Sequence, residues 1–345
     1  MVRLEGFEPP TCCSGGNRSI HLSYRRILRA VYSEGYFRSS KTRDAVEESS
    51  HQKRIERHAR GVLLALSLLL TFVSRGLAWG RVAHQMANAA AIKTLPQPLR
   101  SYFKSHQFYL VEHASDPDLF ADRDPTEHLH HFADVEAYDS YPFHTFEKQF
   151  VKEKLRPTPA ELREGDAPWQ IERLTIQLAE DFRNRRWRAV NHDVVFLAHY
   201  AADLTQPLHT VSNYNGQLSG QSGVHGRVET GVVAFYQNRW ILHPQPATDI
   251  RNLRARIFNE LLASYRARMA IFNADRRTRS QFQDNDPRFL PAFAEAIGPV
   301  AKARLEDAAC FIGSLWYTAW VRAHEPDLSG WKSNSSELSR ANMAQ

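Results

Sequence analysis

From residue 79 onward, apolar residues recur at helical spacing, and the two-residue alternation of strands is nearly absent. Val82, Met86, Ala90, Ala91 and Leu95 predict a helix over Trp79–Leu95, ended by Pro96 and Pro98. A second helical piece runs from Leu99 to His113. Ile171, Leu174, Leu178 and Phe182 predict a helix over Trp169–Phe182, followed by a basic break at Arg183–Trp187. The stretch VVFLAHYAADLTQPLHT, Val194–Thr210, is apolar on nearly every side, so its helix is buried and stops at the Gln206-Pro207 step. Val224, Val228, Val232, Val233 and Phe235 give a further helix its apolar face, and two long helical patterns cover Ile250–Phe272 and Pro291–Ala323. Ala114–Asp139 reads as a polar loop, Tyr141–Pro168 as mixed with one helix around Phe146–Lys154, and Ser212–Gly223 as a loop. Leu328–Gln345 is polar and reads as a loose tail. The pattern predicts an all-α chain, with residues 79–345 as a single multi-helical domain.

The segment ahead of that body has a different character. Gly61–Ser74, GVLLALSLLLTFVS, is an apolar run of 14 residues behind a basic flank, Lys53–Arg60, and before the small residues Gly76 and Ala78. A charged flank, a short apolar core and a small-x-small end describe a secretory signal peptide over residues 56–78. The run is shorter than the ~20 residues of a membrane-spanning helix. Cleavage after Ala78 makes Trp79 the first residue and sends the body outside the cell or into the periplasm. Residues 1–55 then precede a signal peptide. Their opening resembles the translation of a transfer-RNA gene, so they are expected to be a mis-annotated upstream extension, with Val46 and Val62 as alternative starts, of which Val46 leaves the basic flank intact.

This division changes the charge balance. Residues 1–78 carry 13 of the 44 Lys and Arg and 7 of the 38 Asp and Glu, leaving 31 of each in the body. The body is near neutral, so basicity is no argument for nucleic acid or anionic lipid. Cys12 and Cys13 lie in the leader and Cys310 stands alone after it, so the body has no internal disulfide. Of the 16 histidines, 13 follow Ala78.

Several of these histidines fall into a pattern. His199 and Asp203 stand four apart, as do His225 and Glu229, which places each pair on one face of a helix. His209 follows six residues after Asp203, and His84 lies five after Trp79. The loop Ala114–Asp139 adds Asp116, Asp118, His128, His130 and His131. A buried ionisable pair needs a partner, and a metal ion is one. The plain alternatives are a core His–Asp hydrogen bond, a solvated surface pair and a chance histidine cluster. Imidazole and carboxylate are zinc ligands, and a set of this size exceeds one ion. Metal-bound water ionises near neutral pH, and neighbouring ions stabilise attacking and leaving oxygens on phosphorus, so the donors point to phosphoester hydrolysis.

Other chemistries fit less well. Gly220-Gln221-Ser222-Gly223 falls short of a G-x-S-x-G nucleophile elbow, and no phosphate-cradling G-x-x-x-x-G-K motif occurs. Cys310 sits in an apolar run and reads as core. A di-iron bundle wants two Glu-x-x-His motifs, and only Glu127–His130 fits.

The ordered set Trp79-Gly80, His84, Ala114-Ser115-x-x-Asp118, His131-Phe132-x-Asp134, His199-x3-Asp203-x5-His209 and His225-x3-Glu229 resembles the zinc-dependent phospholipase C / single-strand-specific nuclease superfamily. The resemblance implies an all-α fold with three zinc ions per chain in a cleft. One zinc would take Asp118, His131, His199 and a shared Asp203. A second would take the amino and carbonyl groups of Trp79, with His84 and Asp203. The third would take His209, His225 and Glu229. Hydroxide shared by the two ions linked through Asp203 would be the nucleophile, with Asp118 orienting the water. The gapless match to Ala-Ser-x-x-Asp favours Asp118 over Asp116. His131, which alone precedes Phe132 and Asp134, is favoured over His128 and His130. Phe132 and Asp134 are candidates for the substrate pocket, with core packing and an outer hydrogen bond as the alternative.

Within that resemblance, His-x3-Glu at the last pair and the absence of a disulfide resemble the phospholipases, while the short gap from Trp79 to His84 resembles the nucleases. The balance favours an exported phospholipase C-like phosphodiesterase acting on a phospholipid headgroup. The alternative is a single-strand-specific nuclease or 3′-nucleotidase acting on single-stranded nucleic acid. A non-catalytic exported metal-binding protein is the alternative of another class. No stable protein partner is implied, and the chain is expected to be a monomer.

Overall fold

Residues 79–121, 124, 126–158 and 161–332 are described in a computed structural model of the chain. The upstream extension, the signal-peptide segment and residues 333–345 lie outside the described residues. The fold is all-helical, with no strand among the described residues. Five long helices carry it: α1 (Arg81–Thr94), α2 (Ala167–Arg183), α3 (Trp187–Thr205), α4 (Leu253–Arg279) and α5 (Phe289–Arg322). None of the described helices is long and apolar enough to cross a membrane.

α5 is the axis of the core. Its 34 residues bury Phe293, Ile297, Leu305, Phe311, Ile312, Leu315 and Trp316, and it packs against each of the other four long helices. α3 lies beside α2 and α5, and from Val194 to Thr205 every residue on it is buried. A helix buried all round has no solvent face on which to place polar groups. His199 and Asp203 are both 0% exposed, so they must find partners inside the protein.

The linking segments depart from regular helix where the sequence reading was coarse. The piece expected over Leu99–His113 breaks at His106 into Leu99–Ser105 and Gln107–Glu112. The break lets the His106 ring stack on Trp331 at 3.8 Å, with His106 Nε2 3.1 Å from the Trp331 carbonyl. The helix expected around Phe146–Lys154 is a helical turn at His144–Glu147 that continues as a π turn over Lys148–Lys152. The loose tail expected from Leu328 begins later. Leu328 and Trp331 are buried, and Trp331 Nε1 donates to Asn191 Oδ1 at 2.7 Å. Two apolar residues in a polar stretch anchor it.

α5 approaches α1 closely enough to require glycine. A Cβ on Gly313 would sit 2.0 Å from Thr94 Oγ1 and 3.1 Å from the Ala91 carbonyl. Thr94 already donates to that carbonyl, so it has little freedom to yield. Gly313→Ala is therefore expected to destabilise the fold by about 1–3 kcal/mol despite alanine's better helix propensity. A thermal midpoint unchanged or raised by the substitution would contradict the packing described.

Candidate metal centre

Six segments bring ionisable side chains to one place. α1 supplies His84 from its first turn. The turn Asp116–Ala121 supplies Asp118, and a 3-10 turn over Glu127–His131 ends on His131. α3 carries His199 and Asp203 on one face of its C-terminal half. Pro207, at the start of the 3-10 turn Pro207–Thr210, breaks the helix and redirects the chain so that His209 returns toward the same point. Val224–Gly226 and the π turn Arg227–Val232 supply His225 and Glu229. Inserted π turns occur often where a side chain is re-aimed for function. All eight side chains are at least nine-tenths buried.

They form three groups of three, the first two sharing His199, each with its ligand atoms within 4.8 Å of one another: His84 with Asp118 and His199, His131 with His199 and Asp203, and His209 with His225 and Glu229. Asp203 spans the first two. Its Oδ1 lies 3.3 Å from His84 Nε2, and its Oδ2 lies 2.9 Å from His131 Nδ1 and 3.3 Å from His199 Nε2. Asp118 Oδ1 is 3.4 Å from His199 Nε2 and 3.8 Å from His131 Nδ1. In the third group Glu229 Oε1 lies 2.9 Å from His209 Nε2 and 2.7 Å from His225 Nε2. Atoms bound ~2.1 Å from one tetrahedral zinc stand roughly 3.4 Å apart, and the observed spacings bracket that value.

The outer hydrogen bonds set the imidazoles as lone-pair donors. His199 Nδ1–H donates to the Ala114 carbonyl at 2.8 Å, and His209 Nδ1–H donates to the His131 carbonyl at 2.7 Å. Each leaves Nε2 facing the cluster, the arrangement by which metal-bound histidines are oriented. Gln206 Nε2 donates to Glu229 Oε1 at 2.8 Å and fixes the carboxylate from behind. His84 Nδ1 and Nε2, His131 Nε2, Asp203 Oδ1 and His225 Nε2 are buried with no hydrogen-bond partner. Unpartnered buried polar atoms cost stability, and five at one point call for an occupant. A set of imidazole nitrogens and carboxylate oxygens, several of them unpartnered, suits cations of the zinc type.

Without a cation, two of the imidazoles, His209 and His199, favour their protonated forms. Burial opposes charge on His209, but its hydrogen bond to Glu229 and the field of Asp203 overcome this and push the imidazole up to about 9. His199 is raised well above the ordinary histidine value, because Asp203 and Asp118 outweigh its burial. Burial likewise opposes the Asp203 carboxylate, yet His199, His131 and His84 hold it well below the usual range. His84 is lowered, by burial first and by His199 second.

A cavity of about 240 Å³ opens onto this cluster. Asp118, His131, His209 and His225 of the cluster line it, together with Phe132, Asp134, Arg163 and Tyr214. Burial, then Glu164 and Glu136, push the Asp134 carboxyl up to about 7. Phe132 and Asp134, named from sequence as pocket candidates, both line the cavity. Trp79 is fully buried, and a Cβ on its neighbour Gly80 would lie 3.4 Å from the Glu229 carbonyl, which puts the start of the body beside the third group.

The competing residues separate clearly. Asp116 pairs with His113 Nδ1 at 2.8 Å, while Asp118 joins the cluster. His130 pairs with Asp166 at 2.6 Å, and His128 lies in the cavity wall with its ring 5.3 Å from that of Phe132. Sequence reading gave no role at this site to Tyr214 and Arg163, weighed Glu127 only within a di-iron motif, and saw Gln206 only beside the helix stop. Glu127 accepts a hydrogen bond from the fully buried Tyr200 and stands 3.8 Å from His131 Nε2. Gln206 was visible only as a helix stop, and a buried amide between two apolar turns was the available signal. No family model matches the chain, and no curated protein matches it.

The protonation of the metal-free cluster fixes a pH dependence. A group raised from about 6.5 to about 9 in the folded state contributes stability fully present below pH 6.5 and lost as pH rises to 9. Chelator-treated protein is therefore expected to melt at progressively lower temperature from pH 6.5 to 9. His209→Gln should flatten part of that slope. A metal-free midpoint that rises over this interval would contradict the assignment.

Proposed function

We propose that the chain is an exported zinc-dependent phosphodiesterase of the phospholipase C-like type. The observation that carries the reading is the convergence of three groups of imidazole and carboxylate donors on one cavity, with Asp203 facing two of them. The order and spacing of those donors resemble the zinc-dependent phospholipase C / single-strand-specific nuclease superfamily, and three buried groups of donors that could hold metal ions support the reading. Bound zinc supplies Lewis acidity and lowers the pKa of water, so that hydroxide is available at neutral pH.

The protein's own residues have distinct tasks in this reading. Asp203 holds the first two donor groups in register. Asp118 reaches the cavity wall, where its carboxylate accepts a hydrogen bond from attacking water and aims it. The third group, His209, His225 and Glu229, stands on the same cavity and serves the leaving side of the ester. Cleavage behind Ala78 frees the Trp79 amine, whose ordinary pKa near ~7.7–8.0 lets it lose its proton to a metal. In an uncleaved chain that nitrogen is an amide.

A single-strand-specific nuclease is the second reading, favoured by the aromatic rings of Phe132 and Tyr214, which line the cavity together with Asp134. Aromatic faces of this kind stack bases. Hydrolysis of mixed phospholipid vesicles and of single-stranded DNA, assayed side by side on secreted protein, distinguishes the readings. Diacylglycerol release with intact DNA supports the phospholipase reading, and the reverse supports the nuclease. Asp203→Asn is expected to lower either activity at least ~100-fold, since it removes charge from two donor groups at once. Neither activity in a preparation that begins at Trp79 and holds zinc would leave the non-catalytic metal-binding protein.

A further inference from the structure

The cavity holds a cation that the donor cluster does not use. Arg163 lines it, and among the described residues its guanidinium makes no hydrogen bond or ion pair. Asp134 lines the same cavity, yet the charged groups that most affect it are Glu164 and Glu136.

The backbone beneath Arg163 is fixed. Arg163 belongs to a 3-10 turn, Glu161–Glu164, which is stitched to the segment that carries His131. Asp134 N–H donates to the Glu164 carbonyl at 2.8 Å, Asp166 N–H to the Leu129 carbonyl at 2.8 Å, and Ala167 N–H to the Phe132 carbonyl at 3.2 Å. Tyr138 O–H donates to the Glu161 carbonyl at 2.9 Å. Gly165 closes the turn at φ +87°, and a Cβ there would lie 2.2 Å from the Phe132 carbonyl. The turn is therefore held in register with His131, Phe132 and Asp134. The Arg163 side chain is exposed on that fixed backbone and has no internal partner, so its guanidinium is free to meet an external anion at the cavity.

The geometry points to Arg163 as a specificity-determining residue that binds an anionic phosphate group in the cavity and disfavours a quaternary ammonium headgroup. Cations held by the groups containing Asp118, Asp203 and Glu229 would make the cluster end of the cavity net positive, so that it and Arg163 would both favour an anion. A planar guanidinium also gives paired hydrogen bonds to phosphate oxygens, which a point charge does not. The choice of substrate rests on the hydrolase reading above, but the anion contact does not.

Equilibrium binding of inorganic phosphate and of phosphocholine to the zinc-loaded full chain tests the assignment by calorimetry. Arg163→Ala is expected to weaken inorganic phosphate about tenfold, the effect of one charge-assisted contact. Phosphocholine should weaken less, so that the ratio of the two affinities moves toward phosphocholine. Arg163→Lys should fall between the parent and the alanine variant. Zinc content equal to the parent's excludes a general loss of fold. Phosphate and phosphocholine bound by Arg163→Ala as by the parent, or no phosphate binding by the parent, overturns the assignment. A parent that binds phosphate through Arg163 but hydrolyses no ester upholds the contact while the hydrolase reading falls.

Discussion

The structure turns on one buried carboxylate. Asp203 is 0% exposed, and its two oxygens face three imidazoles, from α1, from the 3-10 turn at Glu127–His131 and from its own helix. An isolated charge in such a place is costly, and a pair repays the cost only with good geometry and full hydrogen bonding. Here Oδ1 makes no well-formed hydrogen bond, its neighbour being His84 Nε2 at 3.3 Å. The protein has placed a fully buried carboxylate where protons alone leave the polar atoms incompletely satisfied, and a cation is an occupant that could satisfy them.

The surrounding fold can be understood as what holds that point. The C-terminal carbonyls of α3, one and two residues beyond Asp203, are gripped from both neighbouring helices. Ser264 of α4 donates to the Leu204 carbonyl at 2.6 Å, and Arg304 of α5 donates to the Thr205 carbonyl at 3.0 Å. A cation at a helix C-terminus also opposes the negative end of the helix dipole. The chain then turns at Gln206, whose amide holds Glu229, and delivers His209. The grip on α3 thus sets the geometry of all three donor groups. Gly313 serves the same end from another side, since it lets α5 seat α1, the helix that carries His84, against the core.

Much of this was legible in the sequence, for a physical reason. Helical periodicity reports burial directly, so the long helices and the all-α class followed from Ile171, Leu174, Leu178, Phe182 and their counterparts. The i,i+4 pairs His199–Asp203 and His225–Glu229 stood out because ionisable residues are rare in apolar runs. Relations between distant segments were less legible. No local pattern tells that His130 faces Asp166, that Trp331 anchors the end of the body, or that Arg163 returns to the cavity that His209 lines. The π turn at Arg227–Val232 also escaped, since one inserted residue barely disturbs an apolar stripe. These are long-range or backbone features, and periodicity carries no information about them.

The most direct measurement of the central claim is metal content on the purified protein, taken before and after dialysis against a chelator. The account predicts about three tightly held zinc ions per chain, and a lower melting temperature once they are removed. Protein that retains no zinc, and that melts at the same temperature with and without chelator, would contradict it.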